Sequence, residues 1–127
     1  MRLLKYIELK TGYDDNGPAW IARVEPSRSG RTVYFDGKAL KRGAGVAGNY
    51  FDPQTGDEYW ISGVKKRGTN RHWAGSGKIL VEAAAVPDLL QSLGTAVLDS
   101  RLFEVTHSIR QTEPAEFVAL ENERPED

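Results

Sequence analysis

Trp20-Ile21-Ala22-Arg23-Val24 and Trp60-Ile61-Ser62-Gly63-Val64 carry one tryptophan-led pattern twice, at an offset of 40 residues. Each copy follows a turn-rich stretch, residues 12–18 in the first case and 52–57 in the second, and each runs on into a glycine-bearing basic turn. Short apolar-led runs bounded by such turns are the signature of a β domain built from hairpins. At the same offset Arg31 matches Arg71, whereas Gly30 falls on Asn70 and Val33 on Trp73, so the likeness is confined to the strand. It fits either an internal duplication or two hairpins that met the same packing demand independently.

Alternation and turn residues extend this pattern along the chain. Leu3 to Leu9 reads as a strand, Asn16-Gly17-Pro18 as a turn, and Trp20 to Val24 as a second strand that turns back at Ser27 to Gly30. Thr32 to Phe35 forms a third strand ending at Asp36-Gly37, and Gly43 to Gly48 is too rich in glycine for a regular element. Asn49 to Phe51 and Tyr59 to Lys65 pair around a turn at Pro53 to Gly56, and Arg71 to Ala74 with Lys78 to Glu82 supply one interrupted strand or two short ones. Ala83 to Leu93 has helical spacing, with Val86, Leu89, Leu90 and Leu93 on one side and Gly94 at the C-terminal cap. Leu102 to Ile109 alternates as a final strand, with Phe103, Val105, His107 and Ile109 on one face. The expected fold is mainly β: a small single-domain antiparallel barrel or curled meander sheet of five to seven strands, with one short C-terminal helix and a final strand.

A chain of 127 residues fits one domain and can hide roughly two-thirds of the surface its unfolded form exposes. Residues 1–111 read as that domain, and residues 112–127 as an acidic, proline-punctuated tail with too little apolar surface to order itself. No apolar run approaches the roughly 18 residues of a membrane span, which predicts a soluble, cytoplasmic protein without a membrane partner. With no cysteine, disulfides and thiolate chemistry are excluded, and the core must stand on packing.

The net charge of −1 conceals a polarity along the chain: residues 1–25 sum to 0, residues 26–78 to +6 and residues 79–127 to −7. Such segregation predicts a basic face and an acidic tail.

Several partial motifs fail on context. Gly43-Ala44-Gly45-Val46-Ala47-Gly48 matches a dinucleotide fingerprint by letter, but Lys41-Arg42 precedes it and Asn49 to Pro53 follows it, where a strand and a helix are required. A loop of this kind beside two cations can still cradle a phosphate through backbone N–H groups. Gly77-Lys78 lacks the rest of a P-loop, and Asp14-Asp15-Asn16-Gly17 lacks the carboxylates of a calcium loop. Two histidines, His72 and His107, are too few for a typical zinc site without cysteine. Neither a cofactor nor a metal is expected.

The most informative cluster is Lys65-Lys66-Arg67-Gly68-Thr69-Asn70-Arg71-His72-Trp73, with Tyr59 and Trp60 leading into it. Cations and an indole on one hairpin suit phosphate pairing with base stacking; the plain alternative makes the tryptophans core anchors and the cations solubilising. With the turn that carries Arg28 and Arg31, the candidate ligand-binding set is Arg28, Arg31, Lys65, Lys66, Arg67, Arg71, His72 and Trp73, without catalytic residues.

The runs Lys5 to Tyr13, Asn16 to Ile21, Ser29 to Thr32, Gly48 to Tyr50 and Glu58 to Lys66, through Arg71-His72-Trp73, resemble a family of short, uncharacterised bacterial proteins. The likeness covers residues 5–82. Members are sometimes mislabelled 1-deoxy-D-xylulose-5-phosphate synthase, a far larger thiamine-diphosphate enzyme whose cofactor motif has no counterpart here. The resemblance implies one domain and supplies no catalytic residue.

Three functions fit these features. One is a small binding module for nucleic acid or an acidic protein surface, with the acidic C-terminus competing for the basic face. Another is an enzyme acting on an anionic or phosphorylated substrate, with His72 as acid or base and Lys66, Arg67 or Arg71 holding the anion. The third is a homo-oligomeric structural or interaction protein assembled through a sheet edge.

Overall fold

The computed structural model of the protein describes residues 2–10, 17–43, 45, 48–64 and 77–117. Its strands are β1 (Leu3–Lys10), β2 (Ala19–Pro26), β3 (Thr32–Phe35), β4 (Lys38–Arg42), β5 (Tyr50–Phe51), β6 (Glu58–Ser62), β7 (Ile79–Glu82) and β8 (Phe103–Thr106), with one α-helix, α1 (Val86–Leu93), between the last two. The first six strands pair antiparallel in chain order, and β1 pairs with both β2 and β6, which closes them into a barrel. Closure removes the open edges that a six-stranded meander would otherwise expose. The last two strands depart from the expected antiparallel meander: β7 joins β2, and β8 joins β7, both in parallel.

Two-faced alternation explains the packing. Ile7 on β1, Ala22 and Val24 on β2, Val33 and Phe35 on β3, Leu40 on β4, Tyr50 on β5, and Tyr59 and Ile61 on β6 fill the barrel. The outward residues Tyr6, Ala19 and Ile21 form a second core with Ile79, Val81, Leu89 and Phe103. That outer core is the seat of β7, α1 and β8. The helix follows its sequence signals: Pro87 lies in its first turn, Leu89 is buried, and Gly94 N–H bonds to the Leu90 carbonyl at 2.9 Å.

The strand β4 has no counterpart in the sequence reading, although its turn signal is plain. Phe35 pairs with Lys38, leaving Asp36-Gly37 as a two-residue loop with φ of 50° and 78°. Positive φ at both central residues twists the loop to match its flanking strands, which makes Asp-Gly a strong hairpin signal. The final strand is shorter than expected. Phe103 is buried while Val105 and His107 are exposed, and Ile109 packs instead against the barrel core. The expected strand over Arg71 to Ala74 lies outside the described residues.

The far edge of β2 is shared. Trp20 and Ile21 pair with β7, Glu25 and Pro26 pair with β3, and between them the Arg23 N–H meets the Glu82 carboxylate at 2.9 Å. Glu82, only 6% exposed, also accepts from Gln111 Nε2 at 2.7 Å. Gln111 belongs to a strap that crosses back over the barrel. Arg110 N–H bonds to Asp36 Oδ1 at 2.9 Å, Gly37 N–H bonds to Thr112 Oγ1 at 2.6 Å, and Arg2 pairs with Glu113. Thr112 is 1% exposed, and Phe117, at the end of a 3-10 turn over Pro114–Phe117, packs on Tyr34 with ring centroids 5.5 Å apart. The first six residues of the expected tail are therefore anchored, because the strap exchanges hydrogen bonds with the Asp36-Gly37 turn and with Glu82, which composition alone does not reveal. Among the described residues, no helix is long and apolar enough to cross a membrane.

Candidate anion-binding site at the barrel end

The antiparallel order places the β2–β3 turn and the β4–β5 connection at one end of the barrel. The Asp36-Gly37 and Pro53–Gly56 turns lie at the other. The two ends differ in charge and in how that charge is used.

At the first end, residues 27–31 form a turn with its polar groups engaged. Ser27 N–H bonds to the Thr32 carbonyl at 2.8 Å, Gly30 N–H to the Ser27 carbonyl at 3.0 Å, and Thr32 N–H to Ser27 Oγ at 3.1 Å. The Tyr50 hydroxyl reaches over from β5 to the Gly30 carbonyl at 3.0 Å. This network fixes the turn backbone that carries Arg28 and Arg31, both exposed. The register Thr32 to Lys41 continues one step further, with Arg42 N–H donating to the Arg31 carbonyl at 2.7 Å. Arg31 and Arg42 thus stand side by side, and the Lys41 ammonium, bonded to Thr32 Oγ1 at 3.0 Å, adds a fourth cation. Among the described residues, no carboxylate pairs with the guanidinium of Arg28, Arg31 or Arg42.

At the second end, the acids are put to structural use. Asp36 holds the strap through Arg110 and lies 3.8 Å from Lys38; Asp52 accepts from Gln54 N–H at 2.9 Å. Burial, reinforced by the negative fields of Asp57, Asp52 and Asp36, pushes the Tyr59 phenol up to about 12. Among the described residues no three histidine or carboxylate groups converge as a metal site would require.

The glycine loop has a structural explanation. Gly48 N–H bonds to Glu58 Oε1 at 2.9 Å, and a Cβ on Gly48 would meet the Tyr59 carbonyl oxygen at 2.5 Å. A side chain of the protein itself thus takes up this loop amide, and close backbone approach dictates glycine.

On the outer face of β1, Glu8 is 2% exposed. It accepts from the Tyr6 hydroxyl at 2.6 Å and from Lys10 Nζ at 3.1 Å. Trp60, its cross-strand neighbour on β6, is 42% exposed, so it is no core anchor. Trp20 instead packs edge-on to Phe35 at 5.4 Å beside the barrel core.

Of the residues singled out from sequence, Arg28 and Arg31 fall together at the basic end. Lys65, Lys66, Arg67, Arg71, His72 and Trp73 lie outside the described residues. Arg42 and Lys41 join the site through β4, and the signal for them was the Asp36-Gly37 hairpin, which fixes Arg42 opposite Arg31 once extended. Compared with protein-family models, with curated proteins and with solved structures, the chain has no match.

Proposed function

We propose that this protein is a small binding module for polyanions, with the barrel end formed by Arg28, Arg31, Lys41 and Arg42 as its contact surface. The observation that carries this reading is the side-by-side placement of Arg31 and Arg42 without a carboxylate partner among the described residues. Like charges directly opposed across two strands weaken a sheet, and a polyanion relieves that repulsion while using the guanidinium fork for bidentate phosphate contact. The hydrogen-bonded turn supports tight contact because little ordering remains to be done on binding.

Single-stranded nucleic acid is the polyanion class that best suits the surroundings. Trp60 shares the outer barrel face with Lys41, two strands away and on the order of 10 Å by strand spacing, and an exposed indole beside a cation is a stacking platform for bases. The test is fluorescence anisotropy of labelled single- and double-stranded oligonucleotides across a salt series. Binding should weaken steeply with salt, and each arginine replaced by alanine should reduce the slope by about 0.7 for a single strand. Absence of binding at low salt, or binding indifferent to salt, would sink the proposal.

A further inference from the structure

We propose that the mouth of the barrel at its basic end is a site for a phosphate monoester, the group that ends a phosphorylated nucleic-acid strand, held by Lys5, Arg31 and Arg42. This inference rests on the polyanion reading and names the group that surface selects. Strand parity places the three cations. Arg42 pairs with Tyr50 and Lys5 with Ala22, and both partners belong to the barrel core. Directly paired residues share a face of the sheet, so Lys5 and Arg42 stand on its inward side. Arg31 is two residues from Val33, also in the barrel core, and shares its face. Lys41 and Thr32 alternate to the outer side, where the lysine ammonium is bonded to Thr32 Oγ1 at 3.0 Å.

Lys5 belongs to the same mouth as the arginines. The chain enters β1 at the basic end, where Leu3 pairs with Val24 near the end of β2, and Tyr6 pairs with Ser62, the last residue of β6. Lys5 therefore stands just beyond the final pair between β1 and β6. The strands β1 and β4 form opposite walls of the six-stranded barrel, so Lys5 faces Arg42 across the mouth, and Arg31 stands beside Arg42. Long aliphatic stems let the charged heads leave the wall for solvent, in keeping with a half-buried Lys5 and two exposed arginines. The next inward residue on each strand, Ile7, Val33 or Leu40, is buried and apolar. One sign of charge above a low-dielectric floor concentrates its field on an entering anion. Among the described residues, no carboxylate pairs with the charged head of any of the three. A monoester carries nearly two charges at neutral pH and three acceptor oxygens, whereas a phosphate within a strand carries a single charge. A strand end can enter a concave mouth, while a strand in mid-course lies along the convex outer wall beside Lys41 and the exposed Trp60.

The test compares, by fluorescence anisotropy with the full chain, one internally labelled single strand that is phosphorylated at one end or at neither. The terminal phosphate should tighten binding about tenfold, equivalent to about 1.4 kcal/mol. Lys5→Met, which keeps the apolar stem and removes the charge, should erase most of that difference, and so should Arg31→Ala. Lys41→Ala, on the outer face, should weaken both strands alike and keep the difference. Equal affinities of the two strands for wild type overturn the proposal and leave the polyanion reading standing. So does a difference that survives Lys5→Met. If neither strand binds, the polyanion reading falls, and phosphorus NMR with thymidine monophosphate decides the mouth on its own. A saturable shift of the phosphorus resonance that Lys5→Met abolishes upholds the monoester site, with a free small molecule as its source. No shift with wild type, or one indifferent to Lys5→Met, overturns it.

Discussion

Trp60 stands opposite Glu8 across the ladder between β1 and β6. On the other side of the same strand, Trp20 stands opposite Ile7. The two copies of the tryptophan pattern therefore flank β1 in registers that differ by one residue, and a one-residue step turns a side chain to the other face of the sheet. Trp20 and Ile61 face the barrel core, whereas Ile21 belongs to the outer core and Trp60 meets solvent. The copies are alike in sequence and opposite in role.

Replacement of the two tryptophans should separate these roles. Trp20→Ala removes a half-buried indole from Phe35 and should cost about 2–3 kcal/mol in urea unfolding, somewhat below the figure for a fully buried ring. Trp60→Ala should change stability by no more than about 0.5–1 kcal/mol and weaken oligonucleotide binding by about 1–3 kcal/mol. Comparable destabilisation by both would contradict the opposite orientation of the copies.

Glu82 joins three elements through one carboxylate. Glu82→Leu preserves much of the volume and leaves the Arg23 N–H without its acceptor in the gap between β3 and β7. The expected cost is about 1–3 kcal/mol, with faster amide exchange at Arg23. Wild-type exchange at that amide would show that another acceptor replaces the carboxylate.

The barrel was legible because hairpin chemistry is local. Turn residues and alternation locate β1, β2, β3, β5, β6 and β7, and the cap and apolar spacing locate α1. Three features escaped for different physical reasons. The strand β4 is rich in cations, Lys38, Lys41 and Arg42, so alternation is masked although its turn is explicit. The parallel pairing of β7 and β8 depends on an outer core assembled from residues far apart in sequence. The strap is held by single side-chain bonds to Asp36, Gly37 and Glu82, and no periodicity records such contacts. At the candidate site, Arg28 and Arg31 were visible from turn position, while Arg42 needed the β3–β4 register.

Tyr59 makes stability depend on alkaline pH in a defined direction. Its phenol is raised from 10.0 to about 12, chiefly by burial and then by Asp57, Asp52 and Asp36. The folded state holds the proton more tightly than the unfolded chain. This contribution is therefore complete below pH 10 and lost as pH rises through about 12. Urea unfolding of wild type and Tyr59→Phe should diverge in slope only above that lower bound, with tyrosinate absorbance reporting one late-titrating phenol. Parallel curves throughout would refute the assignment to Tyr59.

Gly48 and Gly56 offer a paired test of backbone approach against backbone conformation. A Cβ at position 48 would press on the carbonyl oxygen and nitrogen of Tyr59 at 2.5 and 2.9 Å, and neither can retreat without breaking the β5–β6 ladder. Gly48→Ala should cost about 1–3 kcal/mol, as overpacking does. Gly56, with φ of 81° and open space around it, should lose only about 1–2 kcal/mol to the left-handed conformation. The Gly48 variant should also break the bond from its amide to Glu58 Oε1, seen as faster amide exchange at position 48; wild-type exchange there would mean that the bond survives the substitution.

Arg31 and Arg42 separate a structural role from a binding role by the sign of one substitution. In the free protein their like charges oppose each other across β3 and β4, so Arg31→Glu converts a repulsive pair into an attractive one. Stability should rise by about 0.2–1 kcal/mol and the gain should shrink with added salt. Polyanion binding should fall in the same variant by more than the loss from Arg31→Ala, because a carboxylate now repels phosphate. Arg42→Glu should behave alike, and the double variant Arg31→Glu with Arg42→Glu should restore like-charge repulsion without restoring binding. A protein whose arginines served folding would lose stability in the single variants. Gain of stability with loss of binding is the signature of charges kept for a partner, and calorimetry beside the anisotropy series reads both.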